Sequence, residues 1–235
     1  RMVHCAWDVT HGVFWAAAAN AVWQAASIDL TRRFRAAGGR QVVAVGTCAE
    51  YDARDPGPWN EARPVAPATP YGQAKAELYR DLQALCGRDL IWARLFHLYG
   101  PGEDRRRFIP AMIDALKQGQ VATVRSAELV RDYASTGHVG RCLVGLLQAG
   151  QPGVFDIGSG QPRNLGQFAR IVAAAAGPAA RIHLSHNPGP DDPPVMAPEL
   201  RRLFQATGLP PERPQEALLR HVQGDLLAGD LPANR

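Results

Sequence analysis

Short apolar runs rich in Val, Ile and Leu alternate along the chain with longer stretches in which apolar positions recur every three or four residues. The first pattern is typical of buried parallel strands, and the second is typical of helices that pack on one face. The apolar runs predict strands at 2–6, 41–47, 89–95 and 154–158. The helical stretches are 20–37, one that opens at Pro70, 108–118, 137–149, 164–176, 199–207 and 214–227. This alternation predicts an α/β fold with a parallel, doubly wound sheet.

Boundary signals support these elements. Asn20 and Asn164 stand where helix N-caps are expected, and Gly38-Gly39 follows the first helix as a stop signal. Residues 52–69 and 187–194 are rich in Pro and Asp, so they predict surface loops.

Composition narrows the class of protein. The 235 residues are 46% hydrophobic, no apolar run approaches the ~20 residues of a membrane span, and no basic-then-apolar leader is present. We therefore expect a cytoplasmic protein without a membrane partner. The net charge of +4 comes from scattered arginines that cluster only at 105–107, so we expect no nucleic-acid partner. The four cysteines lack C-x-x-C spacing, and no metal site is predicted.

A tyrosine and a lysine form the main chemical motif. Tyr71 and Lys75 follow Pro70 at the start of a predicted helix, which places the phenol and the ammonium on one face, one turn apart. A fixed positive charge lowers the pKa of a phenol, so this pair suits proton transfer near neutral pH. Only two of the 26 Lys and Arg residues are lysines, which makes the choice of Lys at this position informative. The alternative is an exposed helix with an incidental pair.

The order of motifs around this pair resembles a known family. Thr47 ends a predicted strand, Tyr71 and Lys75 open the next helix, and the buried strand 89–95 follows. This order resembles the extended short-chain dehydrogenase/reductase family, and within it the nucleotide-sugar epimerases, dehydratases and ketoreductases. Further matching segments are His4-Cys5-Ala6-Trp7, Arg94-Leu95-Phe96-His97-Leu98-Tyr99-Gly100-Pro101 and Leu129-Val130-Arg131-Asp132-Tyr133. The resemblance implies that the last of these segments, 129–133, is a strand. The resemblance runs from about His4 to about Gly208.

The resemblance implies redox chemistry at a sugar carbon of a nucleotide-activated hexose, with NAD or NADP as cofactor and with a homodimer as an open expectation. Tyr71 would act as acid and base, Lys75 would lower its pKa and hold the nicotinamide ribose, and Thr47 would bind the same sugar oxygen. The expected cofactor contacts are Cys5, Ala6, Trp7, Tyr71, Lys75 and Leu95. The expected substrate contacts are Thr47, Phe96, His97 and, at the diphosphate, Arg131.

The chain departs from the family pattern in its glycines. The family's G-x-x-G-x-x-G turn, which brings a helix N-terminus to a pyrophosphate, has no counterpart among the 23 glycines. We therefore interpret the chain as N-terminally truncated, with the first strands of the sheet absent. In this interpretation residues 1–160 are a partial dinucleotide-binding domain with a substrate-lobe insertion around 100–135. Residues 161–235 are mostly a small C-terminal substrate-binding lobe.

Other departures concern the reaction. Sugar 4,6-dehydratases of this family carry Thr-Asp-Glu at the strand end, whereas this chain has Thr47-Cys48-Ala49, and Glu50 comes one residue late. This difference favours a 4-ketoreductase or 4-epimerase over a dehydratase. His97 replaces the usual Asn, which keeps hydrogen-bonding capacity. A non-catalytic nucleotide-binding remnant of the same family stays open, and an arginine-driven nucleic-acid-binding domain is a weaker alternative that salt-dependent DNA affinity would favour.

Overall fold

The computed structural model describes residues 1–227. The strands are β1 (Met2–His4), β2 (Val42–Thr47), β3 (Leu90–Leu95), β4 (His97–Tyr99), β5 (Val121–Val124), β6 (Val130–Arg131), β7 (Tyr133–Ser135), β8 (Gly153–Ile157), β9 (Arg163–Asn164), β10 (Arg181–Leu184) and β11 (Val195–Met196). The helices are α1 (Ala19–Ala36), α2 (Pro70–Cys86), α3 (Phe108–Lys117), α4 (Thr136–Ala149), α5 (Leu165–Ala176), α6 (Arg201–Thr207) and α7 (Pro214–Leu227). None of these helices is long and apolar enough to cross a membrane.

The main sheet is parallel, with the strand order β1-β2-β3-β8. Alternate residues of β2 face opposite layers, because successive side chains of a strand point to opposite faces. Val42 and Ala44 pack with α1 and α2, whereas Val43 packs with α4 and α6. Helices therefore cover both faces of the sheet, and the predicted doubly wound α/β fold is confirmed.

A second core lies beside the sheet. Helices α3, α5 and α7 enclose it together with β5, β7 and β10. The short strands here form three small sheets, β10-β5, β11-β6-β9 and β4-β7. Except for the segment 129–133, these strands were not predicted, because two to four residues are too few to show a hydrophobic period.

The predicted strand at 129–133 is wrong in one respect, since two short strands in different sheets replace it. Asp132 separates β6 from β7 and is fully buried. Its carboxylate accepts hydrogen bonds from the backbone N–H of Ser159 at 2.6 Å and of Gly160 at 2.9 Å. A carboxylate that satisfies two backbone donors costs less to bury, and here it joins the second core to the end of β8.

Two local predictions are also corrected. The predicted strand at 2–6 is shorter, because β1 ends at His4. Asn20 does not cap α1, which begins at Ala19 without a side-chain cap, and Asn20 instead lies buried inside the first turn. Asn164 does cap α5: its Oδ1 accepts from the Gln167 N–H at 2.8 Å, and the Gln167 Oε1 accepts in return from the Asn164 N–H at 3.0 Å.

The predicted loop at 52–69 is organised around a buried arginine. The Arg63 guanidinium is 5% exposed and donates to the backbone carbonyls of Asp52, Asp55 and Gly57. It also stacks on the Trp59 ring at 3.8 Å. One planar side chain with five donors therefore holds a segment that has little regular structure.

Candidate active site

The carboxyl ends of β1, β2, β3 and β8 meet at one edge of the sheet, and the three predicted catalytic residues gather there. Thr47 ends β2, and Tyr71 and Lys75 lie one turn apart at the start of α2. All three side chains are buried. Lys75 Nζ donates to the Val45 carbonyl oxygen at 2.9 Å, the Thr47 hydroxyl accepts from the Ala49 N–H at 3.2 Å, and the same hydroxyl acts to lower the pKa of the Tyr71 phenol.

Local sequence brings α2 close to the end of β2. Thr69 caps the helix by accepting a hydrogen bond from the Gly72 N–H at 3.1 Å, and Pro70 occupies the first helical position. A Cβ at Gly72 would lie 2.3 Å from the Ala49 carbonyl oxygen. Only glycine therefore permits this approach, which brings Tyr71 to Thr47.

Burial shifts the pKa values of both members of the pair. It lowers the pKa of Lys75 to about 8. It raises the pKa of Tyr71 well above its usual range, and the neighbouring Thr47 hydroxyl opposes this only in part. Lys75 is not among the groups that act on the pKa of Tyr71 here, because its ammonium is directed to the Val45 carbonyl oxygen. The expected lowering of the Tyr71 pKa by Lys75 stays a prediction.

Three aromatic rings form a wall around the Tyr71 phenol. Trp7, Phe14 and Trp15 have ring centroids 6.3, 4.9 and 5.7 Å from that of Tyr71, all at edge-on angles. The Trp7 ring also lies 3.9 Å from Lys75 Nζ, in a cation–π geometry. The Tyr71 N–H donates to the Trp15 carbonyl oxygen at 3.1 Å. Sequence reasoning placed Trp7 near the cofactor but gave no role to Phe14 or Trp15.

Asn20 holds this wall together. Its Oδ1 accepts a hydrogen bond from the Trp7 indole at 2.9 Å, and its Nδ2 donates to the Phe14 carbonyl oxygen at 2.7 Å. The other predicted cofactor residues lie at the same sheet edge. Cys5 and Ala6 follow β1 and are exposed, and Leu95 ends β3 half-buried.

The strand-end turn after Thr47 carries no available acid. Cys48 is the first residue of the turn, and burial raises the pKa of its thiol to about 12. Ala49 has no titratable group. Glu50 is fully buried, with Oε2 2.7 Å from Arg94 Nε and Oε1 accepting from the Thr47 N–H at 2.8 Å. The Trp92 indole also donates to this carboxylate at 3.1 Å. Glu50 is thus committed to holding the turn.

A second buried carboxyl contacts the residue that follows this turn. Asp156 on β8 accepts a hydrogen bond from the Tyr51 hydroxyl at 2.8 Å. Burial raises the pKa of this carboxyl to about 7. Its second oxygen has no hydrogen-bond partner in the described part of the chain. Sequence reasoning missed Asp156, because an acid inside a buried strand gives no local signal.

Two predicted substrate residues line the neighbouring wall. Phe96 packs in a buried cluster with Tyr51 and Trp59. His97 stacks on Tyr133 with ring centroids 5.0 Å apart. Burial and the nearby positive charge of Arg131 lower the pKa of His97 to about 3, so its ring is neutral. Its Nε2 is buried and has no hydrogen-bond partner within residues 1–227.

Arg131, the residue predicted to meet the diphosphate, is buried at the end of β6. Its Nη1 donates to the carbonyl oxygens of Val130 and Pro193, both at 2.8 Å. The guanidinium therefore fixes the predicted loop at 187–194 against the sheet edge, a structural role that sequence reasoning did not include.

The three consecutive arginines have different environments. Arg105 pairs with Asp114 and Asp225, and Arg106 pairs with Asp104, all at the surface. The Arg107 guanidinium lies 3.0 Å from Glu103, and its positive charge acts to lower the pKa values of Tyr71, His97 and Tyr133. Burial raises the pKa of Glu103 to about 7.

The donor set at the sheet edge fits the nicotinamide ribose and a reacting oxygen, because it combines an ammonium, a phenol and a hydroxyl. It does not fit the diphosphate equally well. The connection from β1 to α1 contains a single glycine, Gly12, and no glycine-rich turn occurs there. Within residues 1–227 no cluster of three or more His, Cys, Asp or Glu side chains could hold a metal ion.

A parallel doubly wound sheet, a hydroxyl at a strand end and a Tyr–Lys pair on the next helix define the extended short-chain dehydrogenase/reductase class. A profile of the NAD dependent epimerase/dehydratase family matches residues 2–158. The chain belongs to this family.

Comparison with individual proteins agrees with this assignment. The chain is 33% identical over 146 residues to a dTDP-glucose 4,6-dehydratase of Actinoplanes sp., a match that covers 59% of this chain and 45% of that enzyme. The chain thus spans about half the length of the curated relatives it matches. Its fold is similar to that of the Bordetella bronchiseptica enzyme WbmG, solved with NAD and UDP, with 21% identity, a TM-score of 0.78 and coverage of 95% of this chain and 72% of that one. It is also similar to a UDP-N-acetylglucosamine 4-epimerase from Methanobrevibacter ruminantium, with 20% identity, a TM-score of 0.74 and coverage of 85% and 67%.

Proposed function

We propose that this protein carries out NAD- or NADP-dependent redox chemistry at a sugar carbon of a nucleotide-activated hexose, as a 4-ketoreductase or 4-epimerase. Family membership supports the general chemistry, since relatives include dTDP-glucose 4,6-dehydratases and similar structures include a UDP-N-acetylglucosamine 4-epimerase. The choice of reaction depends on one observation in this chain, the absence of an available acid after Thr47.

The proposed proton path uses Tyr71 and Thr47. The Tyr71 phenol exchanges a proton with the sugar oxygen, and the Thr47 hydroxyl, which acts to lower the pKa of that phenol, binds the same oxygen. Lys75 places a positive charge on the same helix face and would hold the nicotinamide ribose. When bound, the nicotinamide supplies or accepts the hydride. Cys5, Ala6, Trp7 and Leu95 would border the cofactor from the sheet edge.

The proposed substrate contacts lie on the opposite wall. Phe96 and neutral His97 would face the sugar nucleotide, and the unpartnered Nε2 of His97 is able to donate or accept one hydrogen bond there. Arg131 would meet the diphosphate with the part of its guanidinium that Val130 and Pro193 do not use.

Elimination of water needs an acid and a base next to the oxidised carbon. The pKa of the Cys48 thiol is about 12, so this thiol stays protonated near neutral pH. Ala49 has no titratable group, and the Glu50 carboxylate is paired with Arg94. Hydride transfer needs none of these groups. Dehydration is the second candidate, because three of the curated relatives are dTDP-glucose 4,6-dehydratases.

The test incubates the 235-residue chain with an NDP-hexose and NAD, and separately with an NDP-4-keto-6-deoxyhexose and NADH or NADPH. We expect reduced nicotinamide to be consumed with the ketosugar, or C4 inversion without water loss with the hexose. Loss of one water from the hexose, seen by mass spectrometry, would establish the dehydratase. No turnover in any arm would favour a non-catalytic remnant.

A further inference from the structure

We propose that residues 7–15 form an aromatic cap, latched by Asn20 over the Tyr71–Lys75 pair, which has to move before a nicotinamide ribose reaches Lys75. This inference rests on the proposed function for the identity of the ligand. Its contacts, however, belong to the described chain alone.

The cap occupies the groups that the ligand needs. Lys75 is 4% exposed, and its ammonium is shared between the Val45 carbonyl oxygen at 2.9 Å and the face of Trp7 at 3.9 Å. A ribose hydroxyl that binds Lys75 has to lie within about 3 Å of Nζ. The indole ring covers the ammonium at nearly van der Waals distance. Trp7 and the ribose therefore compete for one side of Lys75.

The latch is a single buried side chain. Asn20 accepts from the Trp7 indole at 2.9 Å and donates to the Phe14 carbonyl oxygen at 2.7 Å, so it ties both ends of the cap to the first turn of α1. The Trp15 carbonyl adds one hydrogen bond from the Tyr71 N–H. No strand or α-helix fixes the segment between these points, which consists of turns.

The outer face of the cap is open to water. Val9 is 48% exposed, Val13 is 60% exposed and Trp15 is 45% exposed. A segment held by few hydrogen bonds, with little apolar burial on its outer side, opens at low cost compared with the core. The structure therefore combines a closed active-site pair with a cover that is locally the weakest part of the site.

Lysine labelling tests the closed cap directly, because the chain has only two lysines. Reductive methylation followed by peptide mass spectrometry compares Lys75 with Lys117, which serves as an internal standard on α3 and whose side chain is 24% exposed. In the wild-type chain we expect Lys75 to react at least about tenfold more slowly than Lys117. In Asn20→Ala we expect Lys75 to react on the order of tenfold faster than in the wild type, because two hydrogen bonds of the latch are lost. Asn164→Ala, which removes a helix cap far from the cap segment, controls for general loss of stability.

NADH binding tests whether the cap is a barrier to the cofactor. NADH is titrated by fluorescence into wild-type, Asn20→Ala and Asn164→Ala chains, and we expect tighter binding only in Asn20→Ala. Trp15→Ala, a change at a half-exposed position, is the second variant in case Asn20→Ala does not fold. Lys75 that reacts no faster in Asn20→Ala than in the wild type would refute the closed cap. A variant with exposed Lys75 that binds NADH no more tightly would refute its role as a barrier. Both measurements are independent of turnover, so a failure of the proposed reaction alone would not contradict the proposed cap.

Discussion

Asp156→Asn is expected to change the pH dependence of stability in a direction fixed by the structure. Asp156 is fully buried on β8, and its carboxyl accepts a hydrogen bond from Tyr51. Burial raises its pKa from 3.8 to about 7, with Glu61 and Glu50 acting in the same direction and Tyr51 and Arg94 against it. The folded protein therefore keeps a proton on this group at pH values where the unfolded chain has released it.

The direction of this pH dependence follows from how many protons the folded and unfolded states bind. Between about pH 4 and pH 7 the folded state binds more protons than the unfolded state, so the free energy of unfolding falls as pH rises through this window. A displacement of about three pKa units corresponds to roughly 4 kcal/mol at full ionisation. Asn cannot ionise, and its carbonyl oxygen can still accept from Tyr51. Its amide, however, replaces an oxygen that has no partner within the described residues and costs about 1–3 kcal/mol if left unpaired.

We therefore expect Asp156→Asn to be more stable than the wild type by about 1–3 kcal/mol near pH 8, and equal or less stable near pH 4. Urea unfolding followed by circular dichroism at several pH values measures this difference. Asp29→Asn is the control, because this carboxylate lies exposed on α1 and its substitution changes the same functional group without the burial. Parallel profiles of the wild type and Asp156→Asn would show that the carboxyl is ionised in the fold, and the reasoning would fail.

Three further predictions concern the site. Tyr71→Phe is expected to lower kcat by about 100-fold or more with little change in KM, because only the transferring proton is lost; full turnover would remove Tyr71 as the acid and base. Arg131→Ala is expected to raise the KM for the nucleotide sugar more than it lowers kcat, in steady-state assays. Gly72→Ala is expected to lower the free energy of unfolding by about 1–3 kcal/mol, because the new Cβ would lie 2.3 Å from the Ala49 carbonyl oxygen. The control is Gly140→Ala on α4, which has open space around the new Cβ and should raise the melting temperature slightly.

The main sheet could be predicted because its strands carry their own signal. The runs at 41–47 and 89–95 are continuous and apolar, as strands buried on both faces must be, and β2 and β3 lie within them. The Tyr71–Lys75 pair was predictable for a similar reason, since helix spacing is a local property. The effect of burial on its pKa values was not, because three rings from a distant segment produce it.

Asn20 shows where local rules fail. An Asn before a helical stretch is a good N-cap, and sequence alone cannot show that its side chain has a better use. In the fold the amide is buried between Trp7 and Phe14, where an unpaired polar group would be costly, so both its donor and its acceptor are used there. The helix instead begins without a side-chain cap. Asn20 thus matches the local signal for a helix N-cap, but its side chain forms tertiary contacts with Trp7 and Phe14 instead.

The turn after Thr47 connects fold and reaction. Glu50 accepts from the Thr47 N–H and pairs with Arg94, so the same carboxylate that shapes the turn is withdrawn from the active site. A chain that used this turn for elimination would need acids at positions 48 and 49, facing the substrate. Here those positions hold a buried thiol and a methyl group, while the acid one residue later stabilises the turn that presents the Thr47 hydroxyl to Tyr71. The turn therefore fixes the position of a hydroxyl, which is what the proposed proton transfer at Tyr71 would require.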